Sequence, residues 1–292
     1  MKIQKSFENE KEDKGMVYVV PTPIGNLEDI TVRALKVLKE ATIIAAEDTR
    51  NTRNLLNHFD IHTPLLSYHE HNKDAREAQL IERLKKGEKI ALVSDAGMPA
   101  ISDPGYELVQ AAISADQAVV VLPGANAALC ALVGSGLPTA EFLFYGFLPR
   151  KKKDKVLELT RLKLLPATII FYESPHRLKD TLKVFYEQLG DRNLVIAREL
   201  TKRFEEYVRG TISDLLSWAE KHELKGEFCL VLEGNHEVEQ QGDPLWWSHL
   251  SVDDHVTHYI EEQGISSKEA IKLVATDRKM AKREVYQIFH QK

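Results

Sequence analysis

Cysteine is scarce in this sequence, and its scarcity excludes two kinds of scaffold. Only Cys130 and Cys229 occur among 292 residues, too few for a disulfide framework or for a zinc site with four cysteine ligands. Both stand in apolar segments, where a cysteine usually behaves as a small buried hydrophobic residue. We expect a cytoplasmic protein, because reducing compartments keep thiols free.

Long apolar runs are also missing. No segment approaches the roughly 20 apolar residues of a membrane-spanning helix, so we expect no membrane partner. Residues 1–15 are charged and lack the apolar core of a secretory signal, and we interpret them as a disordered tail. The net charge of −5 argues against unspecific binding to a polyanion.

Nucleotide-binding fingerprints are absent as well, since no G-x-G-x-x-G follows a strand pattern and no Walker loop occurs. The sequence has instead short apolar runs that each lead into a loop and a helical pattern. These runs are Val17–Val20, Thr42–Ala46, Ile90–Val93 and Val119–Leu122. The order is typical of parallel βα units, whose ligand sites lie at the carboxyl ends of the strands.

A second α/β pattern follows, and it predicts the domain organisation. Strands are expected over Ala167–Tyr172, Leu194–Arg198 and Phe228–Glu233, with Ser174 and Pro175 opening a helix after the first of them. We predict domains over 16–137 and 138–234, a polar linker over 235–246 and a small helical module over 247–292. A capping box, Ser266 to Glu269, opens one helix of the module. The module fits a packing or dimer-stabilising cap better than an RNA-contacting helix-turn-helix, and both interpretations stay open.

Two loops at predicted strand ends indicate a ligand site. Pro21–Leu27 combines a stiff entry with Gly25, which permits close backbone approach, although this loop alone is equally compatible with a surface turn. Ser94–Gly105 is more informative, because it carries two aspartates, two glycines and two prolines after an apolar run. Prolines reduce the entropy that a binding loop loses on ordering. We expect a small polar ligand held mainly by main-chain groups.

Seven ordered segments carry a resemblance to a known family: PTPIGNLEDIT, AEDTR, SYHEHN, SDAGMPAISDPG, LPGANA, FYESPHR and ARELTK. With these segments the chain resembles the bacterial 16S rRNA (cytidine-2'-O)-methyltransferases, a family of the tetrapyrrole-methylase-like superfamily. The resemblance runs from about Val17 to Glu233 and includes the later segments SSKEAIKLVA and KREVY. It implies an α/β fold class with two α/β domains, S-adenosylmethionine in the cleft between them, and a homodimer.

The resemblance also implies which residues hold the cofactor. They are Pro23, Ile24, Gly25, Ser94, Asp95, Ala96, Gly97, Met98, Ile101, Asn126, Ala127, Phe171, Tyr172, Ala197, Gly226 and Glu227. Met98 departs from the family pattern, which has a smaller polar residue at this position. We therefore expect Met98 to act through its backbone.

Charged side chains at strand ends are the candidates for catalysis and substrate binding. A ribose 2'-hydroxyl is a poor nucleophile while protonated, so a nearby base or cation assists its attack. Arg198, Glu47 and Asp48 are the expected catalytic residues. The expected RNA contacts are Arg50, His69, Arg150, Lys151, Lys152, Lys153, Glu173, His176, Arg177 and Lys202.

Simpler interpretations stand beside several of these assignments. The basic stretch Arg150–Lys163 is compatible with a solvated helix face, Asp48 and Arg50 with a local ion pair, and His69 with a surface histidine. No metal is expected, because the His69–His71 segment lacks a third ligand.

The predicted function is 2'-O-methylation of a cytidine ribose in the decoding region of 16S rRNA, within the 30S ribosomal subunit. A corrin- or porphyrin-pathway C-methyltransferase of the same fold is the alternative enzyme. It is disfavoured by the seven Lys and Arg residues of Arg150–Lys163. A non-catalytic cofactor-sensing or RNA-binding relative is the alternative of a different class.

Overall fold

The first sheet consists of short apolar strands, and the loops Pro21–Leu27 and Ser94–Gly105 follow two of them at their carboxyl ends. The computed structural model describes residues 3–6, 14–235, 246–247 and 249–290. The strands are β1 (Met16–Val19), β2 (Ile43–Ala46), β3 (Leu65–Ser67), β4 (Lys89–Val93) and β5 (Ala118–Val121). All pair in parallel, in the order β3-β2-β4-β1-β5. The carboxyl ends of β4, β1 and β5 therefore lie side by side.

Helices connect these strands and begin close to the strand ends. They are α1 (Val32–Glu40), α2 (Thr49–His58), α3 (Lys73–Lys85), α4 (Tyr106–Ser114) and α5 (Ala127–Ser135), with a 3-10 turn over Leu27–Asp29. Asp48 is the N-cap of α2 and Asn126 that of α5, and each side chain accepts a backbone N–H of its helix. Polar residues after the strands therefore also start the helices.

The second sheet is mixed. Its strands are β6 (Phe142–Phe147), β7 (Thr168–Glu173), β8 (Asn193–Arg198), β9 (Glu206–Thr211) and β10 (Phe228–Leu232), in the order β6-β7-β10-β8-β9. β6 and β7 are parallel, whereas the other neighbours are antiparallel. One face is covered by α6 (Lys152–Leu162), α7 (Leu178–Leu189) and α8 (Ile212–Lys221). The other face packs on the small side chains Ala128 and Ala131 of α5.

The last part of the chain is a separate helical unit, and the residues up to Gly234 form one compact unit with both sheets. The helical unit contains α9 (Val252–Gln263), α10 (Ser267–Asp277) and α11 (Lys282–His290) around Val256, Ile271 and Val285. The predicted capping box is present, since the Ser266 and Glu269 side chains each bond the other residue's backbone N–H.

Several details differ from the sequence-based expectations. The strands β3, β6 and β9 were not predicted: β3 has only three residues, and β6 and β9 are partly exposed along most of their length. Ser174 does not open a helix: α7 begins at Leu178, and the N–H of Arg177 donates to the carbonyl of Ser174 in a turn. The domain boundary near residue 137 stays a prediction.

The predicted tail and linker fall largely outside the described residues, which omit 1–2, 7–13 and 236–245. Within the described part of the tail, the Gln4 amide donates to the Val119 carbonyl at 2.8 Å and accepts from the Val119 N–H at 2.9 Å. Gln4 therefore occupies the edge of the first sheet at β5. No helix in the described ranges is long and apolar enough to cross a membrane.

Candidate active site

Two loops of the first sheet are joined by their backbones. The N–H of Thr22 donates to the Gly97 carbonyl and the N–H of Gly97 donates to the Thr22 carbonyl, each at 2.9 Å. The Thr22 hydroxyl also donates to the Ser94 carbonyl at 3.2 Å. Gly97 has a φ of +76°, a left-handed conformation that costs a residue with a side chain about 1–2 kcal/mol. Pro21–Leu27 and Ser94–Gly105 thus form one connected wall.

Two glycines permit further close approaches at this wall. A Cβ on Gly124 would lie 2.6 Å from Cβ of Pro21, so the loop after β5 lies directly against the loop after β1. A Cβ on Gly25 would lie 2.4 Å from Cγ of Lys202, a side chain from the half that contains the second sheet. Gly25 therefore allows the two halves of this unit to touch.

A cavity of about 430 Å³ lies between the two sheets. The joined loops and the start of α5 form its first wall, and the ends of β7 and β8 with the segment entering β10 form its second. This volume falls within the roughly 300–1,000 Å³ that is typical of small-molecule sites. The arrangement fits the expectation that a ligand is bound at the carboxyl ends of the first sheet's strands.

Most residues expected to bind the cofactor line this cavity. They are Ile24, Asp95, Ala96, Gly97, Met98, Ile101, Asn126, Ala127, Tyr172, Ala197, Gly226 and Glu227. Pro23, Gly25, Ser94 and Phe171 are not part of the lining. The Phe171 ring lies on the helix-covered face of the second sheet, 5.1 Å from the Phe185 ring, because successive side chains of a strand alternate between faces.

Three charged side chains are paired at the rim of the second wall. Nζ of Lys202 lies 3.0 Å from Oε1 of Glu199 and 3.1 Å from Oε2 of Glu227. The N–H of Glu227 donates to Oε1 of Glu199 at 3.2 Å. Burial opposes ionisation, but these contacts still lower the pKa of Glu199 and raise the pKa of Lys202. Lys202, expected to contact RNA, is therefore engaged in fixing the edge of the cavity.

Glu173 also lines the cavity, is 3% exposed, and has both carboxylate oxygens occupied. Oε1 accepts the Ser174 N–H at 2.8 Å and lies 3.2 Å from Nε of Arg177, while Oε2 accepts the Thr181 hydroxyl at 2.6 Å. Oγ1 of Thr181 accepts from Nζ of the buried Lys155 at 2.8 Å. Glu173 and Arg177, expected to contact RNA, are therefore parts of an internal polar network.

Arg177 also fixes the chain just before the basic run Arg150–Lys153. Its Nη2 donates to the carbonyl of Leu148 at 2.7 Å and to that of Pro149 at 3.4 Å. The side chains of the basic run are exposed, and Lys151 is the N-cap of α6. The helix dipole disfavours cations at this end, so these charges do not stabilise the helix that they begin.

Arg198, expected to be catalytic, is not on the cavity. Its neighbour Ala197 lines the cavity, and adjacent side chains of β8 point to opposite faces. Nε of Arg198 lies 3.0 Å from Oε2 of Glu206, directly opposite on β9. Nη1 also reaches the Glu223 carbonyl at 3.5 Å. The position of Arg198 thus supports a cross-strand ion pair rather than a catalytic role.

The charged segment after β2 has an exposed and a buried part. Arg50 donates to Asp48 twice, from Nη2 at 2.7 Å and from Nε at 3.1 Å, and this hydrogen bonding lowers the pKa of Asp48 to about 2. Asp48 and Arg50 therefore form a local ion pair. Burial, followed by the charge of Asp95, raises the pKa of Glu47. Among the described atoms, Oε2 of Glu47 and Nδ1 of His69 are buried without hydrogen-bond partners.

The exposed His176 does not line the cavity. Sequence reasoning did not name several residues that do: Ser102, Asp103, Phe147, Ser174, Pro175, Leu200, Phe228 and Cys229. Asp103 is chemically the most notable. Burial, followed by the charges of Glu47 and Asp95, raises its pKa to about 6, against the effect of a hydrogen bond from Ser94. The available signal was a second aspartate in the loop Ser94–Gly105.

The chain belongs to the tetrapyrrole methylase family. Its residues 16–216 match the sequence model of the Tetrapyrrole (Corrin/Porphyrin) Methylases. The fold is similar to that of uroporphyrin-III C-methyltransferase from Thermus thermophilus, solved in complex with S-adenyl homocysteine. The TM-score is 0.54, the identity is 19%, and the match covers 75% of this chain and 97% of that one. The predicted fold class is confirmed.

Within this family, two bacterial relatives are similar over their full length. The chain is 58% identical over 291 residues to ribosomal RNA small subunit methyltransferase I of Halalkalibacterium halodurans, covering 100% of both chains. It is 55% identical over 289 residues to the protein of the same name from Bacillus subtilis, covering 99% of this chain and 98% of that one. The chain is a member of this methyltransferase family, which confirms the resemblance drawn from the seven segments.

Proposed function

We propose that the protein transfers the methyl group of S-adenosylmethionine to the 2'-hydroxyl of a cytidine ribose in the decoding region of 16S rRNA, in the 30S subunit. The observation that carries this proposal is the proximity in the chain of a small-molecule cavity and an exposed cationic run. Phe147 lines the cavity, and Arg150–Lys153 begins three residues later. The names of the full-length relatives support ribosomal RNA as the substrate.

The cofactor is S-adenosylmethionine, and the chemistry of the cavity fits it. This molecule carries a sulfonium cation, and the carboxylates of Asp95 and Asp103 belong to the lining. Negative charge in a confined site attracts a cation. Ile24 and Tyr172 provide apolar surface for the purine, while Gly97 allows close approach to the backbone. The predicted assignment of the lining residues to the cofactor is retained on this basis.

The protein's main contribution to the reaction is positioning. Methyl transfer is an in-line displacement that needs no covalent intermediate on the protein, so orienting the two reactants in a water-poor cleft supplies much of the rate. The loops joined through Thr22 and Gly97 hold one side of the cleft, and the Glu173–Arg177 network holds the rim next to the basic run. Cationic side chains of Arg150–Lys153 bind RNA phosphates.

The proposal includes a cytoplasmic homodimer. Cys130 and Cys229 are free thiols, which suits a reducing compartment. Val133 of α5 is 76% exposed and Val121 on the edge strand β5 is 57% exposed, and a dimer interface that covered them would remove this apolar surface from water. Sedimentation equilibrium should give a mass near 66 kDa, twice the 33.2 kDa of one chain. A mass of one chain at micromolar concentration would contradict the dimer.

Methyl incorporation from labelled S-adenosylmethionine tests the function. We expect label in 30S subunits lacking the modification, and a 2'-O-methyl map of the product should place it on one cytidine of 16S rRNA. Uroporphyrinogen III serves as the competing substrate for the same fold. Label in the porphyrinoid alone favours the C-methyltransferase alternative, and cofactor binding without transfer to either substrate favours a non-catalytic relative.

A further inference from the structure

The carboxylates that line the cavity differ in how many hydrogen bonds and ion pairs they already make within the protein. Among the described residues, those in the lining are Asp95, Asp103, Glu173 and Glu227. Oδ1 of Asp95 accepts the Asp48 N–H at 3.1 Å and Oδ2 accepts Nδ2 of Asn51 at 3.1 Å. Both oxygens of Glu173 are bound within its network. The Glu227 side chain is 81% exposed and paired with Lys202.

Asp103 is the exception within this set. Hydrogen bonding with Ser94 lowers the pKa of its carboxyl, although the Ser94 hydroxyl also donates to the Ala96 carbonyl at 3.4 Å, and an ionised carboxylate offers about four acceptor sites. It therefore keeps acceptor capacity on the side of the cavity that its lining position exposes. Carboxylates bound on both oxygens inside the fold are poor candidates for taking a proton, because accepting it would break those bonds.

The backbone around Asp103 is held in an unusual conformation. Ala100 and Ser102 have φ angles of +67° and +64°, and strain of this kind at residues other than glycine concentrates at functional loops. A Cβ on Gly146 of β6 would lie 3.2 Å from Oγ of Ser102. The loop therefore reaches from the first sheet to the second and places Asp103 where the two walls meet.

The geometry points to Asp103 as the catalytic base of the methyl transfer, an inference that rests on the proposed function. The ribose oxygen forms a bond to the methyl carbon while the carbon–sulfur bond breaks and its electron pair stays on sulfur. The hydroxyl proton passes to an Asp103 carboxylate oxygen. The products are the 2'-O-methyl ribose, S-adenosylhomocysteine and a neutral Asp103 carboxyl, which then returns its proton to water.

The groups that face Asp103 suit this role. The negative charges of Glu47, at the end of β2, and Asp95, in the same loop, act with burial to raise the pKa of Asp103 to about 6, while Ser94 opposes the rise. Tyr172 of β7 also lines the cavity, and the charge of Asp103 adds to the burial that raises the pKa of Tyr172. A base with a pKa just below the operating pH is ionised and still accepts a proton readily. Below pH 6 Asp103 becomes protonated, so the rate should fall.

Single-turnover methyl transfer to 30S subunits from pH 5 to 8.5 provides the first test. The rate of the wild-type protein should rise with pH to a plateau, with a midpoint near pH 6. Asp103→Asn should lower the plateau by about 10²–10⁴-fold, the usual contribution of a general base, and abolish the midpoint. Glu47→Gln should move the midpoint to lower pH, because the negative charge of Glu47 raises the pKa of Asp103. Asp74→Asn, an exposed aspartate in α3, is the matched control and should follow wild type.

A second test does not depend on turnover. The carboxyl ¹³C resonance of Asp103 in the free protein, assigned by its loss in Asp103→Asn, should titrate near pH 6 and at lower pH in Glu47→Gln. Calorimetry should give Asp103→Asn an affinity for S-adenosylhomocysteine within about threefold of wild type, which shows that the variant folds and binds.

The possible outcomes distinguish a failure of the Asp103 assignment from a failure of the proposed function. An unchanged rate profile in Asp103→Asn, a resonance that does not titrate between pH 5 and 7, or lost S-adenosylhomocysteine binding in this variant would each overturn the assignment of the base. Loss of transfer in Glu47→Gln with retention in Asp103→Asn would also overturn it and assign the base to Glu47. If wild type leaves 16S rRNA unmethylated, the proposed function fails, and the catalytic base fails with it.

Discussion

Nε of Arg177 lies 3.2 Å from Oε1 of Glu173, and this pair links the cavity to the basic run. Glu173 lines the cavity, while Nη2 of the same arginine holds the Leu148 and Pro149 carbonyls. The side chain of Glu173 is 1% exposed, so protein groups rather than water must stabilise its negative charge. One arginine thus connects a buried carboxylate with the segment that presents the cations.

Arg177→Ala should destabilise the two-sheet unit by about 2–4 kcal/mol, because removing one partner of a buried ion pair leaves the other charge uncompensated. Urea unfolding at pH 7.5 measures the change. Arg76→Ala is the matched control, since Arg76 lies on α3 and donates to the neutral Gln79, and we expect less than about 0.5 kcal/mol for it. Similar losses in both variants would show that Glu173 does not need Arg177.

Gly97→Ala should weaken S-adenosylhomocysteine binding at least tenfold. A Cβ there would lie 3.2 Å from Cγ2 of Ile24, and the positive φ is unfavourable for alanine, so the joined wall would be distorted. Gly136→Ala is the control, because Gly136 has a φ of +79° and nothing within 4 Å of a Cβ. Calorimetry should show normal binding for Gly136→Ala, although both variants should lose about 1–2 kcal/mol of stability. Equal affinities would argue against a cofactor role for the wall.

The first sheet and its loops were predictable because local and long-range signals agree there. Apolar runs that end at Pro21 or Ser94 predict strands, and the carboxyl ends of parallel strands meet at one edge of a sheet. The meeting of Pro21–Leu27 with Ser94–Gly105 followed from this rule. The Thr22–Gly97 bridge did not, because backbone pairing between two loops leaves no pattern in either segment.

The incorrect site assignments in the second half arise mainly because the sequence does not show which face of a strand points toward the cavity. The strand ends were expected to point toward a ligand, but a shift of one residue exchanges the faces. Tyr172 and Ala197 line the cavity, whereas Phe171 and Arg198 lie on the opposite face. Internal ion pairs were equally hard to predict, because the partners of Arg177 are brought together only by the folded sheet.

Acidic pH should destabilise the C-terminal helical unit through His255. This side chain is fully buried, and its ring stacks on Trp247 and on Tyr259, with centroids 5.1 Å apart in both cases. Nε of Arg278 donates to its Nδ1 at 3.2 Å. Burial, followed by the charge of Arg278 and partly opposed by Asp277, lowers the pKa of His255 below 6.5. The folded unit therefore favours the neutral imidazole.

The direction of this change in stability follows from proton binding at His255. Below pH 6.5 the unfolded state binds more protons at His255 than the folded state, so stability falls as the pH is lowered, by at most about 1.4 kcal/mol per pH unit. Urea unfolding at pH 7.5 and 5.5, followed by the fluorescence of Trp246 and Trp247 in a Trp218→Phe background, measures this loss. His255→Phe should reduce the difference, whereas His290→Gln should preserve it. A pH-independent wild type would refute the linkage.

The basic run should bind RNA through phosphates, which makes its contribution dependent on salt. Lys151→Ala with Lys153→Ala should weaken binding to 30S subunits and reduce the slope of log Kd against log salt by about 1–2, since each phosphate contact contributes roughly 0.7–0.9. Lys36→Ala with Lys39→Ala, two exposed lysines of α1, makes the same charge change elsewhere and should leave the slope unaltered. S-adenosylhomocysteine affinity should stay constant in both pairs, because none of these lysines lines the cavity. Equal slopes for the two pairs would place the RNA on another surface and leave the cations at the start of α6 without a function.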